Sequence, residues 1–151
     1  MTNTGCITMR LVWCAMRVNV KVKANTKEQA AAIREASDRA LTDLGWQVVK
    51  DSNLHAPREE GDLQRSAITN SDEDTQDGTF TARWSTPYAH YQWAGKVMYG
   101  PPGNRTYGPE TLSYTSSLAV KEWTEHAAEV YGDQWRQVFE NALREELRRL
   151  G

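Results

Sequence analysis

The sequence predicts an α+β fold in a single domain, and three observations carry that reading. Ala30, Ile33, Ser37, Ala40–Leu41, Leu44 and Val48 recur at helical spacing, which gives one face of a long amphipathic helix. Phe80, Ala82 and Trp84 alternate with Thr81, Arg83 and Ser85, the period-two pattern of a half-buried strand. Trp135, Val138–Phe139, Ala142–Leu143, Leu147 and Leu150 form a second helical stripe near the C-terminus. A chain of 151 residues is long enough to bury roughly two-thirds of the surface its unfolded form exposes.

Taken in order, the expected elements are an N-terminal strand, the long helix, a small antiparallel sheet with a hairpin, a long Gly/Pro loop, and C-terminal helices packed on the sheet. Residues 1–15 are read as an N-terminal arm or a mis-assigned start, since Met9 and Met16 are alternative starts. Residues 16–151 are read as the domain. Met16-Arg-Val-Asn-Val-Lys-Val-Lys opens it as an alternating strand, with Val18, Val20 and Val22 on one side. Thr26-Lys-Glu-Gln29 reads as a capping box, in which the Thr26 hydroxyl accepts from the Gln29 N–H and Gln29 reaches back. The helix then runs to about residue 52. Gly45 inside it weakens it by roughly 1 kcal/mol relative to alanine, a cost compatible with something packing close there. Trp46 falls off the centre of the apolar stripe.

His55-Ala-Pro57 ends the helix, and Glu59-Glu-Gly-Asp62 makes a turn in which Gly61 is free to adopt a left-handed conformation. Asp77-Gly78 is a hairpin-turn signal, placing strands near 64–70 and 79–86. Thr86-Pro87 ends the second of these, because proline lacks an N–H and holds its predecessor extended. Tyr88, Tyr91 and Ala94–Gly95 suit a single helical turn that Gly95 closes with a positive φ. Lys96–Tyr99 reads as another short strand. The prolines and glycines of the stretch 100–109 exclude both helix and ladder, and so long a loop favours a contact role. Trp123, Ala127 and Val130–Tyr131 mark one helix, Gly132 a stop and Asp133 a new N-cap.

Composition narrows the function. Charge is slightly acidic overall, with a formal net charge of −2, which gives no support to general nucleic-acid binding. The acids concentrate in the stretch 59–79, where Arg65 is the sole basic residue. Cys6 and Cys14 read as free thiols with no metal or redox partner. No run is apolar and long enough to span a membrane. His55, His90 and His126 are dispersed, and no cysteine–histidine cluster has zinc spacing. Gly100-x-x-Gly103 lacks the lysine and the helix of a phosphate loop. The acidic turn lacks the spacing of an EF-hand. The chain thus presents no convincing catalyst, cofactor or metal site. An enzyme alternative stays open, a small hydrolase or nuclease pairing His55 or His90 with Glu59 or Glu60, as does a monomeric protein-binding adaptor.

Two stretches resemble the small head–tail joining proteins of long-tailed bacteriophages, also called minor capsid, neck or tail-completion proteins. In the first, Pro57, Gly61, Leu63 and Ser66 match a proline followed by a Gly-x-Leu-x-x-Ser step. In the second, Pro87, Tyr88, Ala89 and Gly95 match a Tyr-Ala corner and its glycine, with Trp84 on the strand before it. Trp123 fits a tryptophan of the C-terminal helical part. The similarity spans about residues 16–140. It implies a structural virion protein without an active site or cofactor, made in the bacterial cytoplasm. It further implies a ring of copies, expected to be a hexamer, that joins portal to tail. Neighbouring neck and tail proteins are the expected partners, with double-stranded DNA passing through unbound and no membrane involved. On that footing Tyr99, Arg105, Tyr107, Trp46 and Trp123 are candidate interface residues. Asp72, Glu73, Asp74 and Asp77 are candidate channel-facing residues.

Overall fold

A computed structural model describes residues 6–12, 23–101 and 103–151. The elements run β1 (Cys6–Val12), α1 (Lys27–His55), α2 (Asp62–Asn70), β2 (Thr79–Ser85), α3 (Ala89–Ala94), β3 (Lys96–Tyr99), β4 (Thr106–Thr111) and α4 (Trp123–Leu150). The class is α+β, with two separate two-stranded antiparallel sheets, β1–β2 and β3–β4.

Helix α1 forms as its sequence dictates. Thr26 caps it, accepting from the Gln29 N–H at 3.1 Å, while the Gln29 side chain reaches back to the Asn25 N–H at 2.8 Å, one residue further out than a capping box requires. Ala40, Leu41, Leu44 and Val48 are fully buried. Gly45 is where the helix crosses β2: a Cβ there would collide with the Phe80 ring. The expected close packing at this glycine is therefore present.

Helix α4 lies antiparallel to α1, as three polar links show. Arg39 meets Glu146 at 2.6 Å, the Trp135 indole N–H donates to Asp51 at 2.8 Å, and His55 faces Tyr131 at 3.1 Å. The expected stop at Gly132 does not occur; α4 is one helix of 28 residues. Trp123, Ala127, Tyr131, Trp135, Phe139, Leu143 and Leu147 recur every fourth residue, so the apolar row runs unbroken past the glycine, and all seven lie in or against the core. Continuous burial outweighs the roughly 1 kcal/mol that glycine costs a helix.

The sheet differs from expectation on both sides of β2. Phe80, Ala82 and Trp84 do point inward, each fully buried. The partner strand, however, is β1, paired from Cys6↔Ser85 to Val12↔Thr79. Part of the segment read as an arm is thus integrated in the sheet, with Ile7 buried and Met9 packed on the core. The alternating stretch from Val18 to Val22 lies outside the described residues.

The other correction concerns 64–70, which is helix rather than strand. Asp62 sits in the first turn of α2, and Leu63 and Ala67, four apart, are its buried residues, a helical spacing that the strand reading overlooked. The Asp77-Gly78 turn does form, with φ of 50° and 71°, but it closes a single bridge between Gln76 and Thr79. No strand covers this edge of β2 among the described residues. Side-chain oxygens take the strand's place: the N–H groups of Thr81, Arg83 and Ser85 donate to Asp72 Oδ2, Ser71 Oγ and Ser66 Oγ at 2.7, 2.9 and 3.1 Å. The Thr79 N–H donates to the Gln76 carbonyl at 2.9 Å.

After β2, α3 is the expected single turn, ending at Gly95 with φ 68°. Gly100–Pro109 is not wholly irregular, since β4 begins at Thr106 and pairs Tyr99↔Thr106 and Met98↔Tyr107. Pro109 is tolerated in β4 because the register shifts there between Lys96 and Met98; a bulge is one of the few places where a strand can lose an N–H.

Candidate assembly surface

The two motif stretches, the first ending at Ser66 and the second starting at Trp84, meet in space. Pro57, Gly61 and Leu63 line one wall of a cleft of about 280 Å³ and Tyr88 lines another, with Glu59, Glu60, Asp62 and Gln92 completing it. Gly61 stands before α2 with φ 83°, a conformation that favours glycine. Leu63 and Ala89 are buried anchors on the two sides. Ser66 joins the motifs, donating to the Leu63 carbonyl at 2.6 Å while accepting from Ser85. Trp84 is fully buried, its N–H held by Asn53 at 2.7 Å. Pro87 opens the corner that turns β2 into α3. At Gly95 the backbone passes close to the Lys121 side chain. Eight of the nine motif residues thus gather where α1, α2, β2 and α3 meet, while Gly95 closes α3 against Leu112, Tyr114 and Lys121.

Burial, followed by the carboxylates of Asp62, Glu60 and Glu59, pushes the Tyr88 phenol above its usual value. The cleft therefore holds a protonated phenol beside three carboxylates. No histidine, cysteine or lysine lines it. The pairing of His55 or His90 with Glu59 or Glu60 is not made there. His55 is buried, with Nδ1 at 3.0 Å from the Leu118 carbonyl and Nε2 at 3.1 Å from the Tyr131 hydroxyl. A carbonyl can only accept, so Nδ1 carries a proton and donates to Leu118, while Nε2 and the Tyr131 hydroxyl form the second hydrogen bond. Both ring nitrogens serve the fold. His90 stacks on Trp93, with ring centres 6.1 Å apart, and touches Tyr107 at 5.5 Å. Among the described residues no group of three histidine, cysteine, aspartate or glutamate side chains could hold a metal ion, and no helix is long and apolar enough to cross a membrane.

The candidate interface residues divide sharply. Tyr99 and Tyr107 are each 46% exposed on the β3–β4 hairpin. Tyr107 rests against Tyr91 at 4.9 Å, and Tyr99 lies over Gly108, where a Cβ would strike its ring. A hydrogen bond to Glu110, then burial, holds the Tyr99 phenol above its usual value. Arg105, at the end of the connection, points back to the Met98 sulfur at 2.7 Å. Trp123, by contrast, is fully buried and packs edge-to-face on Trp84 at 6.3 Å. It has no surface to offer a neighbour and is corrected to a core residue. Trp46 is half-buried against Phe80 at 5.9 Å and donates to the Glu73 carbonyl at 3.3 Å.

The acidic turn is likewise not uniform. Asp72 is committed to β2, its carboxylate accepting from Thr81 and its own N–H donating to the Thr81 carbonyl at 2.9 Å. Glu73, Asp74 and Asp77 are exposed. Besides the Trp46 bond, α1 holds the turn through Thr75 N–H to Thr42 Oγ1 at 2.8 Å, Thr42 Oγ1 to Thr75 Oγ1 at 3.0 Å and Gly78 N–H to Asp38 at 3.1 Å. Sequence reasoning missed Gln92 and the edge-capping role of Ser71 and Asp72, because only the antiparallel approach of distant segments creates either. The one signal available was the run of short polar side chains after Ala67.

Comparison with known proteins adds the identity. A family model described as minor capsid protein matches residues 20–143. No curated protein and no solved structure matches the chain. The match takes in both motif stretches, the cleft they build and most of α4, and with that coverage the chain belongs to the minor capsid protein family, as a structural component of a bacteriophage virion.

Proposed function

We propose that this minor capsid protein acts at the neck, as one ring among those that join the portal of the head to the tail while leaving a channel for DNA. Six copies are the expected number. The observation that carries the reading is the β3–β4 hairpin. It lies outside the hydrophobic core, five of the six residues of β4 are exposed, and it displays Tyr99 and Tyr107 beside the connection 100–105. Tyrosine in such a position suits a protein contact, because the ring contributes apolar area and the hydroxyl tolerates a wet rim. A head-to-tail ring needs two complementary surfaces on each copy, and the hairpin supplies one of them.

Glu73, Asp74 and Asp77 supply the channel side of the proposal, since like charge keeps passing DNA from adhering. Asp72 is excluded from that role by its bond to β2. Assembly takes place in the cytoplasm of the host bacterium, and the partners are further copies and the adjoining neck and tail proteins.

Replacing residues 100–105 with an Asn-Gly turn tests the reading. The purified variant should keep the circular dichroism and thermal transition of the parent, because the core is untouched. Phage carrying it should accumulate filled heads without tails. Normally tailed particles in electron micrographs would overturn the assignment.

A further inference from the structure

The edge of β2 that faces away from β1 is closed by side chains, and that arrangement has a consequence for association. Four consecutive outward N–H groups, those of Thr79, Thr81, Arg83 and Ser85, form the row that a hairpin partner would normally occupy. Each has an acceptor within 3.1 Å: the Gln76 carbonyl, Asp72 Oδ2, Ser71 Oγ and Ser66 Oγ in turn. Three of these are side chains from one short stretch, the end of α2 and the turn after it. The bonds of Arg83 and Ser85 lie at the exposed surface, and Arg83 and Ser85 are themselves exposed. Backbone bonds from Gln76 and Asp72 also hold the Thr79–Thr81 end, so stripping the side-chain acceptors would open the exposed end at Arg83 and Ser85, and an open strand edge pairs with other strands.

We propose that Ser66, Ser71 and Asp72 form a cap that closes the β2 edge against strand pairing with a second copy of this chain. The partner excluded is specific in kind: a backbone ladder added edge-on, with alternating N–H and carbonyl groups. A short hydroxyl or carboxylate satisfies one N–H and offers no backbone carbonyl–amide pair for a ladder to continue. Backbone groups of Gln76 and Asp72 reinforce the closure at Thr79 and Thr81, and at Arg83 and Ser85 the hydroxyls fulfil the donors of β2 while offering an incoming strand nothing to extend. The cap also explains the serine of the Gly-x-Leu-x-x-Ser step. Ser66 sits where the α2 backbone turns its hydroxyl onto Ser85 and, through the Leu63 carbonyl, fixes the rotamer that does so. Association through the hairpin then proceeds without competition from this edge.

The test uses the full chain with Ser66→Ala, Ser71→Ala and Asp72→Ala combined, beside a control carrying Ser66→Thr, Ser71→Thr and Asp72→Asn, which keeps every acceptor. Hydrogen exchange and sedimentation are followed over a concentration series. When dilute, the alanine variant should exchange the Thr81, Arg83 and Ser85 amides roughly tenfold or more faster than the parent. When concentrated, it should grow in mass beyond the parent, with those amides protected again by the ladder they have joined. The control should match the parent in both. A variant with fast-exchanging edge amides and the parent's mass at every concentration would overturn the proposal, as would unchanged exchange. If the triple variant does not fold, Ser71→Ala alone, which frees only the Arg83 N–H, must show the same pairing at higher concentration. Parent-like mass in that variant also overturns the proposal.

Discussion

Trp84 and Tyr107 are both aromatic residues on strands, yet they sit at opposite ends of what this chain does with aromatic surface. Trp84 belongs to the body formed by α1, α4 and β2, where it is fully buried, meets Trp123 and holds Asn53 through its indole N–H. Tyr107 belongs to the β3–β4 hairpin, nearly half exposed, supported on one side by Tyr91 and His90. The body spends its large side chains on internal packing, fastened by buried polar links such as Trp135 to Asp51. The hairpin leaves its own in solvent and relies on two short strands with a shifted register. The assembly role proposed above draws on both: a packed body that sets position and a hairpin whose tyrosines stay open to solvent.

Paired substitutions test that division most strongly. Trp84→Ala should lower the unfolding free energy by about 3–5 kcal/mol, the usual cost of emptying a buried tryptophan site, measured by urea denaturation. Tyr107→Ala should cost less than about 1 kcal/mol, in keeping with half-exposed positions, while reducing tail attachment in assembled particles. Equal losses of stability from the two would erase the distinction between body and hairpin.

A smaller effect should come from Gly45→Ala, and its sign is informative. Propensity alone would make alanine better in a helix by roughly 1 kcal/mol. The added methyl, however, points into the Phe80 ring, and overpacking of this kind costs about 1–3 kcal/mol. Net destabilisation in the same urea assay is expected. A stabilised variant would mean that α1 and β2 approach each other less closely than the structure describes.

The legible parts of the molecule are those whose causes are local. The Thr26 cap, the helical stripe of α1, the alternation of β2 and the positive φ at Gly95 each follow from a few neighbouring residues, and each formed as expected. Gly45 was legible too, since a glycine inside a strong helical stripe implies a close neighbour. What escaped was decided by segments far apart. Leu63 and Ala67 made 62–70 a helix because β2 and α1 supply a surface for that stripe. The Asp77-Gly78 signal was real, but the turn it makes joins a loop to β2 rather than strand to strand. Gly132 did not end α4, because α1 buries the residues on both sides of it. Trp123 was read as a contact residue, and the approach of Trp84, distant in sequence, makes it core instead. The two motif stretches were recognised without any sign that they share a cleft. Glu59, Glu60 and Tyr88 become neighbours only when α2 and α3 fold against the end of α1.

The mildest test concerns the seam between body and hairpin. Tyr114, in the chain leaving β4, donates from its hydroxyl to the Gln92 carbonyl of α3 at 2.7 Å, and burial raises its phenol above the ordinary value of 10.0. The unfolded chain would ionise this group first, near pH 10, while the folded chain keeps it neutral to higher pH. Its contribution is therefore complete below pH 10 and falls away as the pH rises through the folded value. Tyr114→Phe should cost about 1 kcal/mol at neutral pH, the net worth of one hydrogen bond, and the gap to the parent should narrow above pH 10. Because the seam ties the hairpin to α3 and not to the α1–α4 pair, amide exchange should speed up in β3 and β4 before it does in α4. Equal acceleration in both would make the hairpin part of the same cooperative unit as the body, and the contrast between Trp84 and Tyr107 would then be one of exposure alone.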